Sequence, residues 1–156
     1  MEIKVIDRDR TSLTVELNGT YVKSGGSSHS SRKVFLFPNF VVKLDCGADQ
    51  NRGEANFYEN IETEDLKYFP KLLGYGYTDA SETDTYLIQE RIEVDSFKKA
   101  TPQQIELLTH LKEKYGLDDM FLCGQASYYD SSRMQVENHN CVPVGDDSVM
   151  IWDMGL

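Results

Sequence analysis

The feature that most limits the fold is the spacing of apolar residues, which fall into short runs with a strand pattern and only two stretches with helical spacing. Leu13, Val15 and Leu17 alternate with polar residues, which predicts a strand over residues 12–23. The runs 34–37 and 40–44 flank Pro38-Asn39 and predict a hairpin. The other predicted strands are residues 72–77, 85–92, 141–144 and 148–152.

Two helices and two loops complete the predicted order of elements. Apolar residues within 49–61 have the spacing of an amphipathic helix. Thr101 and Pro102 are typical of a helix start, and Gly116 is typical of a helix end. The Gly- and Ser-rich residues 23–33 predict a flexible loop, and 117–135 are expected to be mostly loop. We therefore expect an α+β fold with a mainly antiparallel N-terminal sheet.

The length of 156 residues fits a single domain that needs neither a disulfide nor a metal to hold its core together. Cys46, Cys123 and Cys141 show no CxxC spacing, which favours reduced thiols over a disulfide framework or a zinc site. No apolar run is long enough to span a membrane, and the first ten residues are too polar for a signal peptide. These observations predict a cytoplasmic protein without a membrane partner.

The formal net charge of −10 argues against direct binding to nucleic acid, because phosphates repel an acidic surface. Residues 117–156 contain seven acidic residues and Arg133 as their one base. An acidic surface ordinarily keeps a protein in solution. The alternative function is an acidic decoy that imitates DNA and inhibits a DNA-binding host factor.

Lys43 lies inside the apolar run Val41-Val42-Lys43-Leu44, where its ammonium group needs a polar partner or a route to water. Glu54, in the first turns of the next predicted helix, is a candidate partner. A lysine paired in this way stays charged and can contact phosphate oxygens. The structural alternatives are a lysine that reaches water from a strand edge and a glutamate that interacts with the helix dipole.

Two further segments have the chemistry of a phosphate and metal site. The small residues of 24–33 would allow backbone N–H groups to approach phosphate oxygens closely. Asn140 and Asp153 lie at the open end of the last predicted hairpin, which would bring an amide and a carboxylate together. Such oxygen ligands suit Mg²⁺ held with substrate phosphates. The structural alternatives are a turn-capping asparagine and an ordinary aspartate after a strand.

In this order the motifs resemble those of the protein-kinase-like superfamily. Val41-Val42-Lys43 is similar to the V-A-I-K strand, Glu54 to the glutamate of the following helix, and Asp153-Met154-Gly155 to D-F-G. The segment YLIQERI, residues 86–92, resembles the fifth strand and hinge, and Asn140 precedes Asp153 by the family spacing. Residues 26–31 and 37–43 also resemble the small kinase domains that some lytic phages make early in infection.

The resemblance implies an antiparallel N-lobe with one helix over residues 1–92 and a much-reduced C-lobe over 93–156, within a single kinase-like domain. It implies ATP and Mg²⁺ as ligands, with Glu54 positioning Lys43. The implied phosphate contacts are Gly25, Gly26, Ser27 and Lys43, the adenine contacts are the backbone from Glu90 to Ile92, and the metal ligands are Asn140 and Asp153.

The chain also departs from the family pattern. Counting back five positions from Asn140 reaches Gln135, where the family has the aspartate of H-R-D. An amide cannot accept a proton as a general base, although Gln135 would still orient a hydroxyl. Glu137 or Asp130 would be substitutes. The Gly-rich segment lacks G-x-G-x-x-G spacing, and the sequence ends at Leu156, where an activation segment would follow.

Three functions remain open at this point. The first is a minimal Ser/Thr-type protein phosphotransferase that binds ATP and Mg²⁺. The second is a pseudokinase that uses the same fold to bind and modulate a host protein, with or without nucleotide. The third is the acidic decoy, which would bind neither ATP nor Mg²⁺.

Overall fold

The structure is a computed structural model that describes residues 4–8, 12–17, 20–29, 32–45, 49–78, 84–125 and 137–154. It has the α+β fold that the sequence predicts. The described strands are β1 (Lys4–Arg8), β2 (Ser12–Leu17), β3 (Thr20–His29), β4 (Arg32–Leu36), β5 (Phe40–Asp45), β6 (Leu72–Tyr77), β7 (Thr85–Glu90), β8 (Cys141–Val144) and β9 (Ser148–Ile151). The described helices are α1 (Asp49–Asn60), α2 (Pro102–Tyr115) and a 3₁₀ helix, Thr63–Tyr68.

The strands form two antiparallel sheets. Seven strands pair in the order β1-β2-β3-β4-β5-β7-β6, and β8 and β9 form a separate two-stranded sheet. Helix α1 connects β5 to the β6–β7 pair and contacts all three strands. Strand β5 therefore has a neighbour on each side, and Lys43 pairs in register with Val34 of β4 and Leu87 of β7.

Two predictions about the N-terminal segments are wrong, and β1 is a strand that the sequence pattern does not predict. Residues 12–23 contain parts of two strands, β2 and β3, instead of one. Residues 24–29, predicted as a flexible loop, belong to β3, in which Gly25 pairs with Ser12 and Gly26 with Phe35. Residues 20–25 of β3 pair with β2 and residues 26–29 pair with β4. This tertiary context outweighs the low strand propensity of Gly and Ser.

Both predicted helices are confirmed, and local contacts explain where they begin and end. One carboxylate oxygen of Asp45 accepts hydrogen bonds from the backbone N–H groups of Gln50 at 2.9 Å and Asn51 at 3.2 Å, so the end of β5 caps α1. Helix α2 begins with a reciprocal capping box between Thr101 and Gln104. It ends at Gly116, whose φ of 63° lies in the left-handed region that favours glycine.

The described residues divide into two compact units. The first unit contains the described residues up to Ile61 and Lys71–Ile92, and the second contains Glu62–Pro70 and the described residues from Glu93 onward. A core in the first unit is formed by Phe35, Phe37, Phe40, Val42, Leu44 and Ile88. In the second unit, α2 and the 3₁₀ helix both contact β9, and the buried side chains include Leu108, Leu111, Val149 and Ile151.

The described residues after α2, 117–125, are mostly loop, as the sequence predicts, and one isolated bridge joins them to the segment before β8. Phe121 and His139 form an isolated antiparallel bridge, with a backbone hydrogen bond in each direction of 3.3 and 3.0 Å. The buried side chain of Asn138 also forms hydrogen bonds that connect this segment to residues before α2. It donates to the carbonyls of Asp95 and Lys98 and accepts from the N–H of Cys123. Residues 126–136, which include Asp130 and Gln135, lie outside the described residues.

Candidate functional site

Lys43 is a buried cation on β5. Alternation along the strand places Phe40, Val42 and Leu44 in the hydrophobic core, so Lys43 projects from the opposite face of the sheet. Lys43 is 3 % exposed. An ammonium group this deeply buried requires a partner of opposite charge, because an unpaired charge in the protein interior is costly.

Glu54 of α1 is that partner. The Nζ of Lys43 donates to Oε2 of Glu54 at 3.1 Å, and the Glu54 residue is 1 % exposed. The structure therefore brings together the two residues that the sequence singled out as a pair. Helix α1 presents Glu54 to β5 because its first turn is fixed by Asp45, the last residue of that strand.

Arg32 is a third member of this group, and the sequence analysis missed it. Its Nη1 donates to the other oxygen of Glu54, Oε1, at 2.7 Å. Arg32 pairs with Asp45 across the β4–β5 ladder, two residues away from the pair of Val34 with Lys43. It therefore shares a sheet face with Lys43. The alternation of side chains along β4 could have indicated this position. We assigned residues 23–33 to a loop, so the alternation was not applied to Arg32. We refer to Arg32, Lys43 and Glu54 as the buried charge cluster.

Asn51 connects the buried charge cluster to two strands. Its Nδ2 donates to the carbonyl of Lys43 at 2.9 Å and to that of Thr85 at 3.1 Å. Its Oδ1 accepts from Nη1 of Arg32 at 3.4 Å. Because Asn51 is fully buried, these contacts fix the position of α1 against β5 and β7 and thereby the position of Glu54.

Tyr58 lies one helical turn beyond Glu54 and contributes a neutral hydrogen-bonding group. Its hydroxyl accepts a hydrogen bond from Nε2 of the buried Gln89 at 3.0 Å. Burial raises the pKa of Tyr58 well above its ordinary value, with a smaller contribution from the nearby Glu54 carboxylate. The phenol is therefore protonated at neutral pH and adds no charge beside Glu54.

Glu90 and Ile92 lie where β7 ends. The backbone N–H of Glu90 donates to the carbonyl of Lys71 at 2.9 Å, and its carboxylate accepts from the N–H of Lys71, also at 2.9 Å. The N–H of the intervening Arg91 donates to the carbonyl of Asn39 at 3.2 Å. The N–H groups of Glu90 and Arg91 thus both donate to backbone carbonyls within the protein.

Gly25, Gly26 and Ser27 lie within β3. Gly25 pairs with β2, and Gly26 and Ser27 pair with β4, which differs from the open loop that we expected to contact phosphates. Gln135, the residue at the counted position of the catalytic base, lies outside the described residues.

Asn140 and Asp153 meet at the open end of the β8–β9 hairpin, in the second unit. The N–H groups of Trp152 and Asp153 both point to the carbonyl oxygen of Asn140, at 3.1 and 3.5 Å. The Asn140 side chain donates from Nδ2 to the carbonyl of Asp119 at 2.8 Å. This hydrogen bond fixes the amide group, and the side chains of Asn140 and Asp153 are both partly exposed.

Comparisons with known protein families, with curated proteins and with solved structures found no match to this chain. Within the described residues, no group of three or more His, Cys, Asp or Glu side chains is arranged to hold a metal ion. No helix in the described part of the chain has both the length and the apolar character that crossing a membrane requires.

Proposed function

We propose that the chain binds ATP with Mg²⁺ and has a kinase-like N-lobe followed by a much-reduced C-lobe. The observation that carries this proposal is the buried ion pair between Lys43 of a central strand and Glu54 of the helix that follows it. In protein kinases a strand lysine contacts the α- and β-phosphates, and a glutamate of the next helix holds that lysine in place.

The sheet topology supports the same proposal. Beginning at β3, the strands pair in the order β3-β4-β5-β7-β6, and the helix with Glu54 lies between β5 and β6 along the chain. The strand that carries the lysine therefore lies at the centre of these five strands, with β7 and the segment that contains Ile92 beside it. We assign the adenine contact to the backbone at Ile92 and the phosphate contact to Lys43.

The metal part of the proposal assigns Mg²⁺ to Asn140 and Asp153. An amide oxygen and a carboxylate are the oxygen donors that Mg²⁺ accepts, and it completes its octahedral shell with water and substrate phosphates. The donor set fits, because the backbone contacts between Asn140 and Asp153 keep the two residues adjacent. The bound ion would neutralise charge on the phosphate oxygens.

A thermal unfolding scan with and without Mg·ATP tests this proposal. A ligand present at 100 times its Kd stabilises the folded state by about 2.7 kcal/mol, which raises the melting temperature measurably. We expect the shift in the wild type and in Lys71→Met, a control that removes an exposed lysine of the same unit. We expect little or no shift in Lys43→Met or Asp153→Asn. If Mg·ATP does not change the melting temperature of the wild type, the proposal is wrong.

A non-catalytic version of this function, in which the chain binds and modulates a host protein, is favoured by the glutamine at position 135. It shares the nucleotide-binding step with the catalytic version and lacks the transfer of phosphate. A partner that is captured equally well by the wild type, by Lys43→Met and by Asp153→Asn, without transfer of phosphate, would identify this version.

A further inference from the structure

We infer that the hydrogen bond between Tyr58 and Gln89 positions Glu54 and thereby sets the affinity for the nucleotide. Glu54 holds Lys43, the proposed phosphate contact, so Tyr58 and Gln89 are positioning residues that act through this ion pair. The inference rests on the proposed function, and it concerns only residues of the first unit.

Three polar side chains lie on the face of α1 that meets the sheet. Asn51, Glu54 and Tyr58 are spaced by three and four residues, which places them on one side of a helix. Asn51 donates to backbone carbonyls of β5 and β7, Glu54 accepts from Lys43, and Tyr58 accepts from Gln89. Glu54 therefore lies between two further points at which α1 is attached to the sheet, one in its first turn and one in its last.

The sheet presents the partners of Glu54 and Tyr58 at a spacing that suits the helix. Lys43 pairs with Leu87, so Gln89, two residues further along β7, is its diagonal neighbour on the same sheet face, at about 7–8 Å. Glu54 and Tyr58 are four residues apart, which separates them by about 6 Å along the axis of α1. Because these separations are similar, both contacts form with α1 in one position.

Burial makes the hydrogen bond between Tyr58 and Gln89 costly to break. Gln89 is 2 % exposed, and its Nε2 donates to the Tyr58 hydroxyl at 3.0 Å. A buried amide that loses its partner is left without a hydrogen bond, because water is not present to replace it. The sheet therefore favours the position of α1 in which the hydroxyl of Tyr58 reaches Gln89.

A hydrogen bond fixes the position of a helix more narrowly than an apolar contact does. Apolar side chains pack in several relative positions, and cores built from them lose rigidity before they lose stability. A donor and an acceptor must instead meet within a narrow range of distance and angle. In coiled coils a single buried asparagine fixes the register of the helices at a cost in stability. An apolar pair in place of Tyr58 and Gln89 should therefore preserve the fold and loosen the position of Glu54.

The test replaces both partners with apolar side chains in one double variant, Tyr58→Phe with Gln89→Met. Replacing both members of a buried hydrogen bond in this way can be nearly neutral for stability. The control is Tyr86→Phe, which removes a phenol hydroxyl from the opposite face of β7, where Tyr86 packs against the hydrophobic core. Melting temperatures without ligand measure stability, and isothermal titration calorimetry of the folded proteins measures the Kd for Mg·ATP.

We expect the double variant to melt at the wild-type temperature or above it and to bind Mg·ATP about fivefold more weakly or worse, the lower end of the usual coupling between separate sites of one protein. Tyr86→Phe should have the wild-type Kd. Weaker binding at undiminished stability is a result that a merely structural role would not give. A folded double variant with the wild-type Kd overturns the inference, whatever its melting temperature. If the double variant does not fold, Tyr58→Phe alone takes its place, and the wild-type Kd in that variant overturns the inference.

A double-mutant cycle tests the positioning of Glu54 without any ligand. Glu54→Gln is made in the wild type and in the double variant, and denaturant unfolding gives the stability that each background loses. If Tyr58 and Gln89 position Glu54, the double variant loses less, because its Glu54 already holds Lys43 less well. Equal losses in the two backgrounds overturn the inference.

The cycle also separates a failure of the inference from a failure of the proposed function. A wild type that does not bind Mg·ATP overturns the proposed function, and the effect on nucleotide affinity with it. Unequal losses in the cycle would then still show that Tyr58 and Gln89 position Glu54.

Discussion

Arg32 and Glu54 form the shorter ion pair of the buried charge cluster, with 2.7 Å between Nη1 and Oε1 and side chains that are 8 % and 2 % exposed. Lys43 takes the second oxygen of the same carboxylate at 3.1 Å. One glutamate on α1 therefore holds two cations that come from neighbouring strands. Its removal would leave two buried positive charges without this shared partner.

The first prediction concerns the stability of this arrangement. Replacing Glu54 by Gln should lower the free energy of unfolding by about 3–5 kcal/mol, the usual result of removing one partner from a buried ion pair. The matched control is Glu59→Gln, an exposed position on the same helix, which should change stability by less than about 0.5 kcal/mol. Denaturant unfolding followed by circular dichroism measures both. Equal stability of the two variants would show that Glu54 does not hold the cations.

The second prediction separates a structural role of the buried charge cluster from a functional one. The triple variant Arg32→Met, Lys43→Met, Glu54→Leu replaces all three charges with apolar side chains of similar size. Such replacements are often neutral or stabilising, because no charge then remains to be desolvated. We therefore expect the triple variant to be more stable than Glu54→Gln alone and yet to show no melting shift with Mg·ATP.

If the triple variant keeps the wild-type shift with Mg·ATP, then Lys43 does not contact the nucleotide and the cluster serves only the fold. The single variant Arg32→Met is the useful companion, since it leaves the Lys43–Glu54 pair in place. It should retain nucleotide binding even where it reduces stability.

The sequence could predict the Lys43–Glu54 pair because both residues carry a local signal. A lysine within an apolar run and an acid in the first turns of the next helix are visible without knowledge of distant contacts. Arg32 carries no such signal, because it follows a segment of Gly and Ser whose low strand propensity predicts a loop. That segment is a strand because its first part pairs with β2 and its second part with β4, contacts that have no local signal in the sequence.

The contact of Asn140 with Asp119 could not be predicted, for a different physical reason. It lies beside the bridge between Phe121 and His139, which joins residues far apart along the chain and has no local signal in the sequence. By contrast, the contact of Asn140 with Asp153 follows from a hairpin whose turn, Gly145-Asp146-Asp147, is evident in the sequence.

The third prediction concerns Gln104, whose side chain connects α2 to the β8–β9 turn through hydrogen bonds. Its Nε2 donates to the carbonyls of Val144 at 3.2 Å, Gly145 at 3.0 Å and Ser148 at 2.9 Å, and its Oε1 accepts from the N–H of Thr101 at 2.9 Å. Gln104→Ala should reduce the free energy of unfolding by about 1–3 kcal/mol, because three backbone carbonyls lose the donor from the buried Gln104 side chain and the helix loses half of its capping box.

Gln103→Ala is the control for this prediction, because the neighbouring glutamine is exposed. We expect it to change stability by no more than about 0.5 kcal/mol. Denaturant unfolding of both variants, monitored by the fluorescence of Trp152 just after β9, makes the comparison. Loss of less than about 1 kcal/mol in Gln104→Ala would mean that water replaces its hydrogen bonds.

The fourth prediction concerns pH and the buried thiol of Cys141. Burial raises the pKa of Cys141 from an ordinary value of 9.0 to about 12, because the thiolate form is poorly solvated inside the protein. The single thiol proton has two carbonyl acceptors within reach of Sγ, His139 at 3.3 Å and Phe121 at 3.4 Å. Below pH 9 the thiol is protonated in the folded and unfolded states alike, so it contributes no pH dependence there.

Above that pH the unfolded thiol loses its proton while the folded thiol keeps it, so the free energy of unfolding falls by about 1.4 kcal/mol per pH unit until the folded pKa is reached. Denaturant unfolding at pH values between about 8 and 10 should therefore show that the free energy of unfolding falls with pH in the wild type and in Cys123→Ala. Cys141→Ala should have a lower free energy of unfolding at pH 8. As the pH rises, this free energy should fall less steeply than in Cys123→Ala, because the variant lacks the Cys141 thiol and keeps the other ionisable groups. Parallel curves for Cys141→Ala and Cys123→Ala would show that the Cys141 thiol ionises as easily in the folded protein as in the unfolded chain, and that burial at the start of β8 does not control it.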